Sequence, residues 1–165
     1  MRLAGGLVFS LILAGTVSAA ECTLTNARYT QPDAPWSLTF QRVPKYGAAN
    51  QIAAFSLELP NSGVTLDGAV HGSNGFGSPL WSIEGRCAPE AQEICSFLME
   101  NQSPAIYGIY HDKVKFLDTE RGSVAPEQII LPQLAVSLWY SNYRETEWFG
   151  DEVSPGDAFV LEGCE

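Results

Sequence analysis

The stretch VHGSNGFGSPLW, residues 70–81, sets His71 and Ser73 among Gly72, Gly75 and Gly77, between two apolar runs. Histidine can act as a general base and serine as a nucleophile, while glycines let a backbone approach a phosphate or turn sharply. Every motif that would use this composition is incomplete here. A nucleophile elbow needs glycine two residues before and two after the serine, and around Ser73 those places hold His71 and Gly75. A P-loop has the separation of Gly72 and Gly77, but Ser78 and Pro79 replace its lysine and its magnesium-holding hydroxyl. A dinucleotide fingerprint beginning at Gly75 would need glycine where Leu80 stands. What the stretch does specify is a turn, because Asn74-Gly75 suits a hairpin loop with positive φ at both central residues.

Asp67 and His71 fall on one face of a strand, so a carboxylate could orient the imidazole for a small extracytoplasmic hydrolase. Side chains four apart on a strand are separated by roughly 13 Å, however, too far for a direct hydrogen bond without a bulge. His111 beside Asp112 reads first as a turn histidine. No catalytic residue is assigned, and no metal spacing or cofactor fingerprint is complete.

A second chemistry-bearing stretch is WYSNYRETEWFGDE, which starts at Trp139. Aromatic rings interleaved with carboxylates could form an interface or a sugar-stacking shelf. Tyr143, Glu145, Glu147, Trp148, Asp151 and Glu152 are the candidate binding residues. The four carboxylates would speed encounter with a cationic partner, and Trp148 with Tyr143 would supply desolvated contact area. Trp139, by contrast, reads as core, together with Trp36 and Trp81.

The elements that must position these residues lie in an exported chain. MRLAGGLVFSLILAGTVSAAEC has one arginine, an apolar run too short to span a bilayer, and small residues before a cleavage point after Ala20. Residues 1–20 read as a secretory signal and 21–165 as a single domain, periplasmic or secreted, with no membrane insertion after cleavage. Without Arg2 the formal charge of −10 becomes −11. That balance excludes nucleic acid, whose phosphates must be met by lysine and arginine. Cys22, Cys87, Cys95 and Cys164 form an even set in an oxidising compartment. The favoured pairing joins Cys22 to Cys164, because domain termini often lie together, and Cys87 to the nearby Cys95.

Hydrophobic period two dominates. WSLTFQRV turns Trp36, Leu38 and Phe40 to one side; AAFSLELP does the same with Phe55, Leu57 and Leu59; GVTLDGAVHG and PLWSIEGRC form a pair; DAFVLEGC closes the chain. AIYGIYHDKVKFL predicts a hairpin turning near Asp112 and Lys113, with Val114 and Phe116 inward. Two segments predict helix: APEAQEICSFLMEN, and a helix starting at Pro132 after a short turn, with Leu131, Leu134, Ala135, Leu138 and Trp139 near one face. The fold class is β-rich α+β: an antiparallel β-sheet or sandwich with one or two short helices, stapled by disulfides. Three functions fit it. The first is a non-catalytic binding or accessory protein with a cationic protein or peptide as partner; the others are the hydrolase above and a carbohydrate or small-ligand binder using the late aromatics.

Overall fold

The computed structural model describes residues 22–73, 75, 77–88, 90–99 and 103–164. The expected signal segment and Asn74 of the expected turn lie outside them. Ten strands form one sheet: β1 Ala27–Thr30, β2 Ser37–Gln41, β3 Gln51–Glu58, β4 Thr65–His71, β5 Leu80–Arg86, β6 Ile94–Ser96, β7 Tyr107–Tyr110, β8 Lys113–Phe116, β9 Gln128–Ile130 and β10 Ala158–Cys164. Among the described residues a single α-helix, α1 Leu134–Trp139, precedes β10. The strand order is β6-β5-β4-β3-β2-β1-β10-β9-β7-β8, and every pairing is antiparallel.

The fold is one curled sheet, a half-barrel, where the sequence left open a sandwich. Its two flanks meet through an isolated bridge, Leu80 to Ala105. There the Trp81 N–H donates to the Pro104 carbonyl and the Ile106 N–H to that of Pro79, both at 3.0 Å. Curling turns one face of the covered strands inward, which is why alternate residues on them are apolar. Tyr29, Leu38, Phe40, Phe55, Leu57, Leu66, Trp81, Ile83, Ile129 and Phe159 are all buried on that face. Phe55 lies across β4 at Gly68, its directly paired residue. A Cβ there would sit 2.1 Å from the ring, so only glycine admits it.

Three expectations fail for physical reasons. The described residues of the expected helix, 88 and 90–99, are not helical; Cys95 lies on β6, which pairs with β5 through Arg86–Ile94, Gly85–Cys95 and Glu84–Ser96. The Cys87–Cys95 bridge closes this return into a hairpin, and Phe97 alone of the segment's apolar residues is fully buried. The β7–β8 turn is His111-Asp112, one residue earlier than expected, with φ of 50° and 62°. Val114 and Phe116 are exposed, not inward, because β8 is the outermost strand and has no barrel interior beneath it. Finally, the expected short turn before α1 contains β9, which Ile129 anchors by filling the barrel between β10 and β7.

The chain ends meet as expected. β1 pairs with β10, Thr23 bridges Val124, and Cys22 is bonded to Cys164 while Cys87 is bonded to Cys95. Two disulfides suit an oxidising environment, and among the described residues no helix is long and apolar enough to cross a membrane. The bridges span 142 and 8 residues. Loop entropy predicts that replacing both cysteines of the longer bridge by serine costs about 5 kcal/mol, against about 2.5 kcal/mol for the shorter one. Urea unfolding of the two double variants should place their midpoints in that order.

Candidate functional site

Residues 131–157 leave the sheet after β9, cross its mouth and return as β10. Asp157 fixes the entry to α1: its carboxylate accepts the backbone N–H groups of Gln133 and Leu134, each at 3.0 Å, at the helix end where donors lack the regular intrahelical partner. Leu134, Ser137 and Leu138 take the buried side of the helix. Trp139 does not join them and is 49 % exposed. Five residues beyond Leu134 it is rotated by about 140° around the helix axis, which turns it outward and corrects its assignment to the core. Tyr140 beside it is 65 % exposed.

After α1 the chain makes two 3-10 turns, Asn142–Glu145 and Phe149–Asp151. Ser141 caps the first by accepting the Tyr143 N–H at 3.2 Å. The six candidate binding residues divide here. Tyr143 and Trp148 are buried, at 2 % and 7 % exposure, and pack within the core cluster. Tyr143 stands edge-on to Phe97 and to Phe149, at centroid distances of 5.6 and 5.8 Å. Glu145, Glu147 and Asp151 are exposed, Glu145 in an ion pair with Arg144 at 3.3 Å. Glu152 is half-buried and accepts the backbone N–H of Ser62 at 2.7 Å and of Asn61 at 3.3 Å, tying this segment to the β3–β4 turn. Further ties run from the Trp36 indole N–H to the Val153 carbonyl and from Gln31 to both backbone groups of Gly156.

Trp139 is the shared wall of two cavities. On one side an open groove of about 980 Å³ is lined by Ser96, Leu98, Tyr140, Asn142 and Arg144. The Arg144 guanidinium lies 6.0 Å from the centre of the Trp139 ring. On the other side a pocket of about 370 Å³ is walled by Trp36, Trp139, Tyr143 and Phe149, with Glu152 on its lining. Trp139 and Phe149 are tilted by 60° at 5.7 Å, so three of the four aromatic residues of the pocket, Trp139, Phe149 and Tyr143, pack on one another. Ring faces attract cations, and Glu152 adds a carboxylate. Burial, and secondarily the charge of Glu152, push the Tyr143 phenol well above its ordinary 10.0, so it stays protonated at neutral pH and is no base. Its hydroxyl has no hydrogen-bond partner among the described residues.

The other chemistry-bearing residues are not assembled into a catalytic set. His71 Nε2 lies 2.9 Å from Ser82 Oγ, a residue that sequence reasoning missed. The β4–β5 register holds the signal, since His71 faces Leu80 and Ala69 faces Ser82, making His71 and Ser82 diagonal neighbours. Asp67 lies across from Ser56 and Glu84 instead of meeting His71. Ser73 donates its hydroxyl hydrogen to the Gly77 carbonyl, bracing its own loop, where Gly75 and Gly77 both have positive φ. His111 is a turn residue whose backbone N–H donates to Glu127. Among the described residues no three His, Cys, Asp or Glu side chains group closely enough to hold a metal. The chain matches no family model, no curated protein and no solved structure.

Two outcomes follow from this placement. Glu152→Ala, which removes two hydrogen bonds to the exposed β3–β4 turn, is expected to cost about 0.5–1.5 kcal/mol of stability, while Glu145→Ala and Glu147→Ala stay within about 0.5 kcal/mol; urea titration of each variant checks the contrast. The second outcome concerns alkali. Burial raises the phenols of Tyr29 and Tyr143 above 10.0, so above pH 10 the unfolded chain releases protons that the folded chain retains. Stability should be intact below pH 10 and fall above it, by about 1.4 kcal/mol per pH unit for each such tyrosine. Unfolding midpoints at pH 9 and pH 11, read with phenolate absorbance at 295 nm, test the sign.

Proposed function

We propose that this is an exported, non-catalytic binding protein that holds a cationic side chain of a protein or peptide partner in the pocket of Trp36, Trp139, Tyr143 and Phe149. The observation that carries this reading is the pocket's composition: four aromatic walls with Glu152 on the lining. A cation leaving water needs compensation, and ring quadrupoles with a nearby carboxylate supply it at a site an anion would avoid. Exposed Glu145, Glu147 and Asp151 extend the negative field outward on a chain already rich in acid. Their role is to steer encounter. Trp139 takes the contact role that the sequence had given to Trp148, because Trp139 is the exposed ring that an arriving side chain meets first. A second reading, a sugar stacked on Trp139 and Tyr140 in the open groove, draws support from the exposure of those two rings.

Binding kinetics with a labelled lysine- and arginine-rich peptide, with the same peptide trimethylated at lysine, and with a neutral oligosaccharide separate the readings. The expected result is binding of both peptides. Trp139→Ala should speed dissociation at least tenfold, while Glu145→Gln/Glu147→Gln/Asp151→Gln slows association and flattens its salt dependence. Salt-insensitive capture of the oligosaccharide alone would overturn the cationic reading in favour of the sugar.

A further inference from the structure

The outside of the sheet has two characters. Across β2, β3, β4 and β5 one row of paired outer residues reads Thr39, Ser56, Asp67, Glu84. That is the usual polar face of an antiparallel sheet packed on one side only. Across β8, β7, β9 and β10 the matching row reads Phe116, Tyr107, Ile130, Ala158, and the row beside it Val114, Ile109, Gln128, Val160. Phe116 and Val114 are 55 % and 60 % exposed, and the Phe116 ring stacks on Tyr107 at 5.7 Å. Both rows, apolar except at Gln128, run up to β8, the outermost strand among the described residues.

The hairpin sets which groups that edge offers. With His111 and Asp112 both at positive φ, the two-residue turn makes Tyr110 and Lys113 the first hydrogen-bonded pair. Antiparallel ladders alternate, so Lys113 and Lys115 direct their backbone groups to β7, while the N–H and C=O groups of Val114 and Phe116 point out from the sheet. The side chains alternate as well. Val114 and Phe116 lie on the apolar outer face, Lys113 and Lys115 on the opposite one. These are two of the chain's three lysines, both exposed. Neither is in an ion pair among the described residues; Lys115 lies 5.8 Å from the centre of the Tyr110 ring.

We infer that the β8 edge is a strand-addition site for an extended peptide segment in which acidic and apolar residues alternate. An added strand satisfies the outward amides and carbonyls of Val114 and Phe116. Residues directly opposite in a sheet share a face, so its acidic side chains meet Lys113 and Lys115 while its apolar ones continue the row of Val114 and Phe116. A second copy of this chain is the poorer occupant. Pairing two β8 edges with their apolar rows continuous sets lysine opposite lysine, whether Val114 or Lys115 stands on the two-fold axis. The site shares no residue with the aromatic pocket, so its fate is independent of the function proposed above.

The test uses the disulfide-bonded chain and a short blocked peptide alternating Glu and Val, with its Lys–Val counterpart and a version with the glutamates in one block. The Glu–Val peptide should bind and slow amide exchange at Val114 and Phe116. Lys113→Glu with Lys115→Glu should weaken that binding at least tenfold and create binding of the Lys–Val peptide. Val114→Pro removes an outward donor without touching the ladder to β7, and should abolish binding with an unchanged circular dichroism spectrum. Equal binding of all three peptides, or protection elsewhere, overturns the inference. So does a Lys113→Thr/Lys115→Thr variant that oligomerises while the parent binds no peptide, since the lysines would then be edge guards only.

Discussion

The pairing of the first strand with the last is the constraint on which the rest of the molecule depends. β1 lies between β2 and β10, and without its ladder to β10 the strands would form two separate groups, β6 to β1 on one side and β10, β9, β7 and β8 on the other. Neither group alone encloses an interior. Joined, they bring Tyr29 and Phe159 into one core with Phe40 and Phe55, and the aromatic contacts from Tyr29 through Phe40 to Phe55 run across three strands. The Cys22–Cys164 bond holds the same junction covalently, next to the ladder and not in place of it.

Once the sheet has curled, the segment between β9 and β10 has its ends fixed and must cover the mouth. It is held there by polar ties more than by area: Asp157 on the start of α1, Glu152 on the β3–β4 turn, and Gln31 on Gly156. Side chains that look alike in sequence therefore end in different roles. Glu152 is held in place by two backbone donors, while Glu145 and Glu147, a few residues earlier, stand in solvent.

Much of the inner face was legible because period two is the direct imprint of a one-sided interior. Trp36, Leu38, Phe40, Phe55, Leu57 and Leu66 could be read from alternation alone, and the cysteine pairing from compartment and spacing. Alternation does not say whether a strand has an interior to face. KVKF alternates as well as SLTF does, yet it lies beyond the last covered strand, so its apolar residues are in solvent. EICSFL was misread because a short apolar run bears no decisive period, and the disulfide rather than propensity fixes its hairpin. The pocket was half legible. Its aromatic character is in the composition, but the exchange of roles between Trp139 and Trp148 depends on the length of α1 and on where the following 3-10 turns carry the chain.

The ladder between β1 and β10 also sets a timetable. A chain that emerges or is threaded amino end first exposes β1 long before Ala158 to Cys164 arrive. Until they do, one side of β1 is an unpaired edge and the barrel has no closed interior to bury Tyr29 or Phe159. Local hairpins such as β3–β4 and β4–β5 can form early, but the cooperative step must wait for the carboxyl end, and contacts so distant in sequence are slow to close. The fold thus delays its own completion until its last strand is available.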